Sequence, residues 1–288
     1  MLLNLAGVLF DGVAYGSLLF LMSVGLSVTM GLMNFVNLAH GAFAMIGGYL
    51  FIQLLSVLGV PFLLALVLVF IAAAAIGWVL ERTLYQRLYQ ATPLDQVLFS
   101  IGLTFMAVAM ATFVWGPTQR SVQLPEWLTG QLHLAGLSVG VYRVFLILVV
   151  CVITLALWLL IERTRFGAKI RASVDNQVAA KGLGINVHQV FSLTFALGSG
   201  LGGLCGALGV DVLGLDPSFP LKYMVYFLIV VAVGGAGTIR GPLVAALVLG
   251  IFDVAGKYYA PNIGAFMIYG LMVVLLLLFP RGLIVRRS

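Results

Sequence analysis

Three acidic residues are expected within or at the edge of the long apolar segments of this sequence: Asp11, Asp211 and Asp253. A carboxylate paired with a histidine at helical spacing would support proton transfer or metal-assisted hydrolysis. None of the three has such a histidine, and the sequence contains no His-Glu-x-x-His, Gly-x-Ser-x-Gly or phosphate-binding loop pattern. We therefore predict that the chain has no catalytic residues, no metal site and no cofactor, and cannot itself hydrolyse ATP.

The most polar stretch of the first half of the chain contains Asn34, Asn37, His40 and Gly41. The two asparagines and the glycine fall on one helical face, with the histidine beside them. Buried amides and imidazoles are costly in hydrocarbon unless they are paired. Two interpretations stay open: hydrogen bonding between helices, or a broken helix that lines a polar path. We predict that Asn34, Asn37 and His40 border a substrate path.

A basic segment over residues 162–189 contains short amphipathic helical stretches, interrupted by Gly182 and Gly184. Its charge alone is typical of a solvated loop. Its small apolar residues, Ala179, Ala180, Leu183 and Ile185, also suit a short helix that docks into a groove on a soluble partner. A second glycine-rich segment, residues 233–242, joins two apolar runs and is predicted to be a tight turn or hinge, with Gly235, Gly237 and Gly241 as its key residues.

The composition shows which elements must position these residues. Of 288 residues, 62% are hydrophobic and 8% are charged, and the mean hydropathy is +1.17. A soluble domain carries about 25% charged residues, so the sequence excludes a soluble enzyme, a nucleic-acid-binding domain and a disordered chain. It predicts an integral membrane protein, and Cys151 and Cys205, both in apolar runs, are predicted to be packing residues.

Crossing the hydrocarbon core takes about 20 apolar residues. The sequence predicts nine such spans, with eight as the alternative, near residues 5–33, 36–56, 61–80, 97–115, 144–161, 190–210, 223–239, 241–256 and 263–279. They are expected to be helices, because the runs lack the alternation of membrane β-strands. The fold class is thus an all-α polytopic bundle, a single transmembrane domain over residues 1–288 with Met1 beginning the first span. Gly198, Gly202, Gly206 and Gly209 share one helical face, which predicts tight packing or a sliding surface.

The basic residues predict the orientation of the bundle. Eleven of the fifteen lie in one alternating set of loops and four in the other. Loops rich in lysine and arginine stay in the cytoplasm. The segment 162–189 and the C-terminus are therefore expected to be cytoplasmic, and nine spans place the N-terminus outside.

Four segments together resemble the permease subunits of branched-chain amino acid ABC transporters of the LivH type, and the likeness covers nearly the whole chain. An Asn-Phe-Ala-His-Gly type of segment is matched at 34–41, and an Arg-x-Gly-x-x-x-Arg-Ala loop with a following Leu-Gly-Ile-Asn is matched at 165–172 and 183–186. A Gly-Gly-x-Gly-Thr turn is matched at 234–241, and a terminal Pro-x-Gly-Leu at 280–283.

The resemblance implies a complex in a bacterial-type inner membrane. Its partners would be two ATP-binding subunits, a second related permease and a periplasmic or extracellular substrate-binding protein. Within the loop it implies ATPase-coupling roles for Arg165, Gly167, Arg171, Asp175, Ala179, Ala180 and Gly184. The loop departs from the wider importer pattern, because Asp175 stands in place of a glutamate and is displaced from the alanine pair.

The resemblance implies a permease that imports branched-chain amino acids and is not an enzyme, and three other functions stay open. Permeases of the same family for urea or short-chain amides are the nearest alternative. An ion-coupled carrier would need charges deep in the membrane and inverted repeats, neither of which the sequence shows. A membrane transferase would need a cluster of acids or histidines at one membrane face.

Overall fold

The computed structural model describes residues 2–33, 35, 37–134, 137–235, 237–279 and 282–283. Over these ranges the chain is almost entirely helical, which confirms the predicted fold class. Its eleven described helices are α1 (Leu2–Met33), α2 (His40–Ser56), α3 (Phe62–Thr83), α4 (Pro93–Trp115), α5 (Val141–Arg163), α6 (Arg165–Asp175), α7 (Gln177–Gly182), α8 (Val187–Leu213), α9 (Phe219–Gly234), α10 (Arg240–Tyr259) and α11 (Gly264–Leu278).

Six of the described helices are long and apolar enough to cross a bilayer: α1, α3, α4, α5, α8 and α10. The apolar helices α2, α9 and α11 have 17, 16 and 15 residues, fewer than the about 20 that a crossing usually takes. The protein is a multi-pass membrane protein. The number of spans, eight or nine, stays a prediction.

Helix α8 forms the centre of the bundle, because 83% of its span is buried, compared with 17% for α4 and for α5. Its glycines bring neighbouring backbones close together. A Cβ added at Gly206 would lie 1.7 Å from the Ala44 carbonyl oxygen of α2, and one at Gly198 would lie 3.0 Å from the Gly25 oxygen of α1. The predicted glycine face is thus a packing face at Gly198, Gly202 and Gly206, whereas a Cβ at Gly209 would meet only Leu213 of the same helix.

A second close contact joins α1 to α10. A Cβ added at Gly12 would lie 2.6 Å from the Ile251 Cα, and one at Gly250 would lie 2.5 Å from the Gly16 Cα. Small residues at these positions let the two helices touch along their backbones. Helix α1 therefore connects the α8 centre on one side to α10 on the other.

Three details correct the sequence predictions. Residues Gln131–Leu134 and Leu137–Gly140 pair as an antiparallel hairpin in a segment for which no strand was predicted. Glu81 was expected beyond the third span, yet α3 continues to Thr83 and buries Glu81 completely. Cys205 is buried as predicted, but Cys151 is exposed, because α5 contacts the bundle through one face and Cys151 lies on another.

Helix α2 begins at His40, four residues later than the predicted span. The Asn37 side-chain oxygen accepts a hydrogen bond from the Ala39 amide at 3.1 Å, which stabilises a turn at residues 37–39. Asn34 and Ala236, together with the C-terminal residues 284–288, lie outside the described residues.

Candidate functional site

A groove runs along α1 between α5 and α10, and we call it the α1 groove. Three cavities follow one another along it, each with walls from these three helices. The two ends of the groove are named after the two ends of helix α5. It ends at Arg163, directly before α6, so that end is called the loop end, and the opposite end, where α5 begins, is the far end. The 23 residues of α5 span roughly 34 Å, about the thickness of the hydrocarbon core.

The cavity at the loop end has a volume of about 440 Å³. It brings together parts of the chain that are distant in sequence: the end of α5, the middle of α6 and the glycine turn before α10. Its walls include three cationic side chains and one acidic side chain, which are Arg163, Arg171, Arg240 and Glu162. The predicted coupling loop and the predicted hinge thus share one cavity, a juxtaposition that the sequence did not reveal.

The middle of the α1 groove is apolar. Its cavity of about 390 Å³ is lined by aliphatic residues of α1, α5 and α10, with Cys151, Ser17 and Thr154 as small polar exceptions. Trp158, Ile239 and Arg240 border both this cavity and the loop-end cavity. The two cavities are therefore adjacent, and a molecule with an apolar side chain meets little polar surface in the middle one.

The far end of the α1 groove is charged. A cavity of about 160 Å³ is lined by Asp11, Arg143, Asp253 and Lys257, together with Tyr15 and four aliphatic residues. Arg143 forms an ion pair with Asp11, and the Lys257 Nζ lies 2.6 Å from the Asp253 Oδ2. The groove thus changes from charged to apolar to basic along its length.

The predicted coupling residues lie on two short helices with one buried face each, except for Gly184, which follows α7. The Thr164 hydroxyl accepts a hydrogen bond from the Gly167 amide and caps α6, and Asn176 caps α7 through the Ala179 amide. Ile170 and Ala180 pack against the beginning of α8. The other face is open: Val178 is 82% exposed and Leu183 is 80% exposed.

The structure places the remaining loop residues on both faces of these helices. Gly167 is buried, and a Cβ there would lie 1.9 Å from the Ile161 carbonyl oxygen. Arg171 donates a hydrogen bond to the same carbonyl and lines the loop-end cavity. The exposed residues of the predicted set are Arg165, Asp175, Ala179 and Gly184, the last with a φ of +80°.

The glycine turn, residues 233–242, packs against α1 near Ser27. The Gly237 amide donates to the Ser27 carbonyl oxygen at 2.9 Å, and the Ser27 hydroxyl donates to the Thr238 carbonyl oxygen at 3.1 Å. Gly235 and Gly237 have φ values of +91° and +80°, which other residues rarely adopt. Gly241 is buried against the Gly234 carbonyl oxygen.

Asn37 and His40 lie inside the bundle and line none of the described cavities of the α1 groove. The Asn37 oxygen accepts a hydrogen bond from the Tyr85 hydroxyl at 3.0 Å, with both residues buried. The His40 ring packs on Phe227 and fits beside Gly25 and Gly202, and its Nε2 has no hydrogen-bond partner within the described residues. Asn34, the third predicted residue, lies outside the described residues.

Glu81 is a buried acid that the sequence analysis missed. Its carboxylate accepts hydrogen bonds from the Tyr89 and Ser192 hydroxyls and, at 3.1 Å, from the Gln86 amide. These contacts join the end of α3 to α8 near α6 and α7. Burial raises the pKa of Tyr89, and the hydrogen bond to Glu81 raises it further, so Tyr89 stays protonated as the donor.

The far-end cluster was only partly visible in the sequence. Asp253 and Lys257 are noticeable as charges inside an apolar run and, at a spacing of four, fall on one helical face. Arg143 lies more than a hundred residues away in sequence, so only the fold brings it to the same cavity. The sequence signal for this cluster was that Asp253 and Lys257 lie within an apolar run, where an ionisable residue is energetically costly.

Comparisons with known proteins agree with this architecture. The sequence profile of the family described as "Branched-chain amino acid transport system / permease component" matches residues 8–277. The chain is 27% identical to the high-affinity branched-chain amino acid transport system permease protein LivH of Escherichia coli, over 96% of this chain and 94% of that protein. It is 26% identical to BraD of Pseudomonas aeruginosa, over 96% and 95%, and 26% identical to a probable LivH of Methanocaldococcus jannaschii, over 96% and 91%.

No solved structure matches this chain. The described residues form a multi-pass helical bundle with a packed centre and three cavities along α1, and the family match identifies the chain as a membrane transport component. The chain belongs to the family of branched-chain amino acid transport system permease components, which confirms the resemblance seen in the sequence.

Proposed function

We propose that this chain is a permease subunit of an ATP-driven importer and forms half of the translocation path for branched-chain amino acids. The family match and relatives named as branched-chain amino acid permeases support the substrate class. The observation that carries the transport role is the α1 groove, which extends along the full length of α5 with charged ends and an apolar middle.

In this proposal the α1 groove is this chain's wall of the path, and a second, related permease closes it. A branched-chain amino acid has a zwitterionic head and an aliphatic side chain. The apolar middle accommodates the side chain without a desolvation cost. The contrast between the packed α8 centre and the open α5 side favours this location, because a path must open and close where few contacts are broken.

The segment 162–189 is proposed as the coupling loop that docks on a partner ATPase. Val178, Ala179 and Leu183 would form the contact, since exposed aliphatic residues on a short helix suit a groove on a soluble protein. Arg165 and Asp175 would border this contact. Gly167, Ala180 and Gly184 would hold the two helices in shape, as their close packing and the positive φ of Gly184 require.

Arg171 and the glycine turn are proposed to transmit motion from the coupling loop to the path. Arg171 lines the same cavity as Thr238 and Arg240, where α10 begins. A displacement of α6 would therefore reach α10, one wall of the groove, through a segment that contains Gly235, Gly237 and Gly241. These glycines would act as the hinge.

Asn37 and His40 are proposed to support the path from behind rather than to contact substrate. Their burial and the Asn37–Tyr85 hydrogen bond favour the first of the two interpretations, bonding between helices. Asn34 belongs to the same segment and is proposed to share this role.

The proposed setting is the inner membrane of a bacterial-type cell, with the coupling loop and C-terminus in the cytoplasm. The excess of basic residues on that side supports the orientation. Two ATP-binding subunits would hydrolyse ATP there, and a binding protein would deliver substrate on the other side.

Uptake by reconstituted vesicles tests the proposal. The complete complex, with both permeases, the ATPases and binding protein, is expected to concentrate radiolabelled L-leucine only when ATP is supplied to the ATPase side. Excess unlabelled valine should compete and excess urea should not. Concentrative uptake by this chain alone, without the ATPases, would contradict the proposal, and competition by urea would move it to the amide-transporting branch of the family.

A further inference from the structure

The charged far end of the α1 groove contains a carboxylate whose bonding is incomplete. Asp253 is only 1% exposed, and its Oδ2 is held by Lys257. Its Oδ1 is buried and has no hydrogen-bond partner within the described residues. Leaving a buried carboxylate oxygen unsatisfied is unfavourable, and Asp253 lines a cavity.

The cations beside Asp253 have hydrogen-bond donors to spare. A lysine ammonium carries three donors, and the contact with Asp253 uses one of those of Lys257. Its Nζ also lies 5.6 Å from the centre of the Tyr15 ring, within the range of a cation–π contact. Arg143, which also lines the cavity, offers a planar fork suited to a carboxylate.

The charges of this cavity balance: two carboxylates, Asp11 and Asp253, face two cations, Arg143 and Lys257. A ligand with a single charge would leave an unbalanced charge beside the buried Asp253 carboxylate. A ligand that carries one ammonium and one carboxylate keeps the balance and supplies the donor that Asp253 lacks.

The rest of the cavity fits a small aliphatic group. Ala14, Leu146, Val212 and Val254 complete its walls. Its volume of about 160 Å³ lies below the roughly 300–1,000 Å³ of sites for drug-sized ligands. Asp253 is six residues from the end of α10, roughly 9 Å along the helix axis, so the cavity lies near the far mouth of the groove.

We propose that this cavity is a recognition site for the zwitterionic head of an α-amino acid at the entrance of the path. The α-ammonium group donates to the Asp253 Oδ1, and the α-carboxylate accepts from Lys257 and Arg143. The ligand's side chain points along the aliphatic wall toward the apolar middle of the groove. This inference rests on the proposed function and names the residues through which the permease itself selects its substrate.

Cysteine protection tests the site without depending on transport. A Val212→Cys substitution places a thiol in the cavity wall, in a Cys151→Ser background and in the assembled complex without binding protein. Labelling by a charged, membrane-impermeant methanethiosulfonate is followed with and without excess L-leucine. Isopentylamine and 4-methylpentanoate, which are leucine without its carboxylate and without its ammonium group, are the matched probes.

Leucine is expected to slow the labelling, and neither single-charge probe should do so at equal concentration. Asp253→Asn should weaken leucine protection by about tenfold or more, the loss expected for a hydrogen bond to a charged group. Glu126→Gln is the control, because Glu126 is an exposed carboxylate in the segment that precedes α5 and does not line the cavity. If Asp253→Asn does not assemble, Lys257→Gln, whose side chain is half exposed, carries the same expectation.

Three results would overturn the site: no protection by leucine in the parent protein, equal protection by the single-charge probes, or unchanged protection in the charge variants. Failure of the proposed function has a different signature, namely no ATP-dependent leucine uptake by the complete parent complex. Normal uptake combined with unaltered protection in Asp253→Asn would reject this site and leave the transport role intact.

Discussion

Helices α8 and α5 are both long and apolar enough to cross a bilayer, yet they differ in how the fold uses them. Helix α8 is surrounded on nearly all sides, and its glycines touch the backbones of α1 and α2. Helix α5 contacts the bundle along one side, leaves a groove beside it, and is followed directly by α6. Helix α8 is thus the packed centre of the bundle, whereas α5 is a more loosely packed wall.

This contrast explains where a path can lie in such a bundle. Close-packed interiors transmit strain and tolerate little displacement, so α8 with its neighbours is suited to hold the other helices in place. The groove beside α5 can change its width at a smaller energetic cost. Helix α5 is joined directly to α6. The loop that is proposed to dock on the ATPase is therefore covalently attached to α5, one wall of the proposed path.

The largest effect should follow from disturbing the packed centre. In Gly206→Ala, the added Cβ would lie 1.7 Å from the Ala44 carbonyl oxygen, a backbone atom that cannot step aside. Overpacking of this kind costs about 3 kcal/mol, so we expect a severe loss of folded protein, measured as the yield of monodisperse complex in detergent.

Gly209→Ala is the matched control on the same helix. Its added Cβ would meet only the flexible Leu213 side chain at 3.2 Å, so we expect a normal yield. Equal yields for the two variants would contradict the view that α8 is the packed centre.

A smaller effect, confined to coupling, should follow from charging the exposed apolar surface formed by Val178 of α7 and by Leu183, the residue that follows α7. Leu183→Asp places a carboxylate on a residue that is 80% exposed, where it should disturb docking but not folding. Loss of a central contact costs about 2 kcal/mol or more, so we expect ATP-dependent uptake to fall by about tenfold or more with an unchanged yield of this subunit.

Gln177→Asp provides the control, since it adds the same charge to an exposed position at the first residue of α7, six residues before Leu183. Uptake close to that of the parent protein is expected. If Leu183→Asp transports normally, the exposed surface around Leu183 is not the docking surface, and the coupling role of this loop must be abandoned.

The sequence predicted the helices well because the cost of unpaired backbone in hydrocarbon leaves few other solutions. It also predicted the glycine break at Gly184, which has a positive φ, but not the break at Asn176 that separates α6 from α7. The family resemblance came from motifs at the ends of helices, where turns constrain residue type most strongly.

The groove could not be predicted in the same way. Its charged end combines Asp11, Arg143 and Asp253, which meet only because α1 packs on both α5 and α10. Glu81 was missed because it stands just past an apolar run, where a solvated charge is the usual outcome, whereas its partners Tyr89 and Ser192 come from other segments. The hydropathy of a segment depends only on residues that are neighbours in sequence. It therefore does not show which residues of other helices a side chain contacts.

The native residue Cys151 offers the most direct test of the α1 groove as the wall of the path. It is exposed and lines the apolar middle of the groove, whereas Cys205 is buried and should stay inert. In the assembled complex we expect Cys151 to react with a membrane-impermeant methanethiosulfonate, at a rate that differs by about tenfold between the nucleotide-free and vanadate-trapped states, in line with typical coupling energies of 1–3 kcal/mol. Reaction only with a lipid-soluble maleimide, at the same rate in both states, would show that the groove faces lipid and contradict the account.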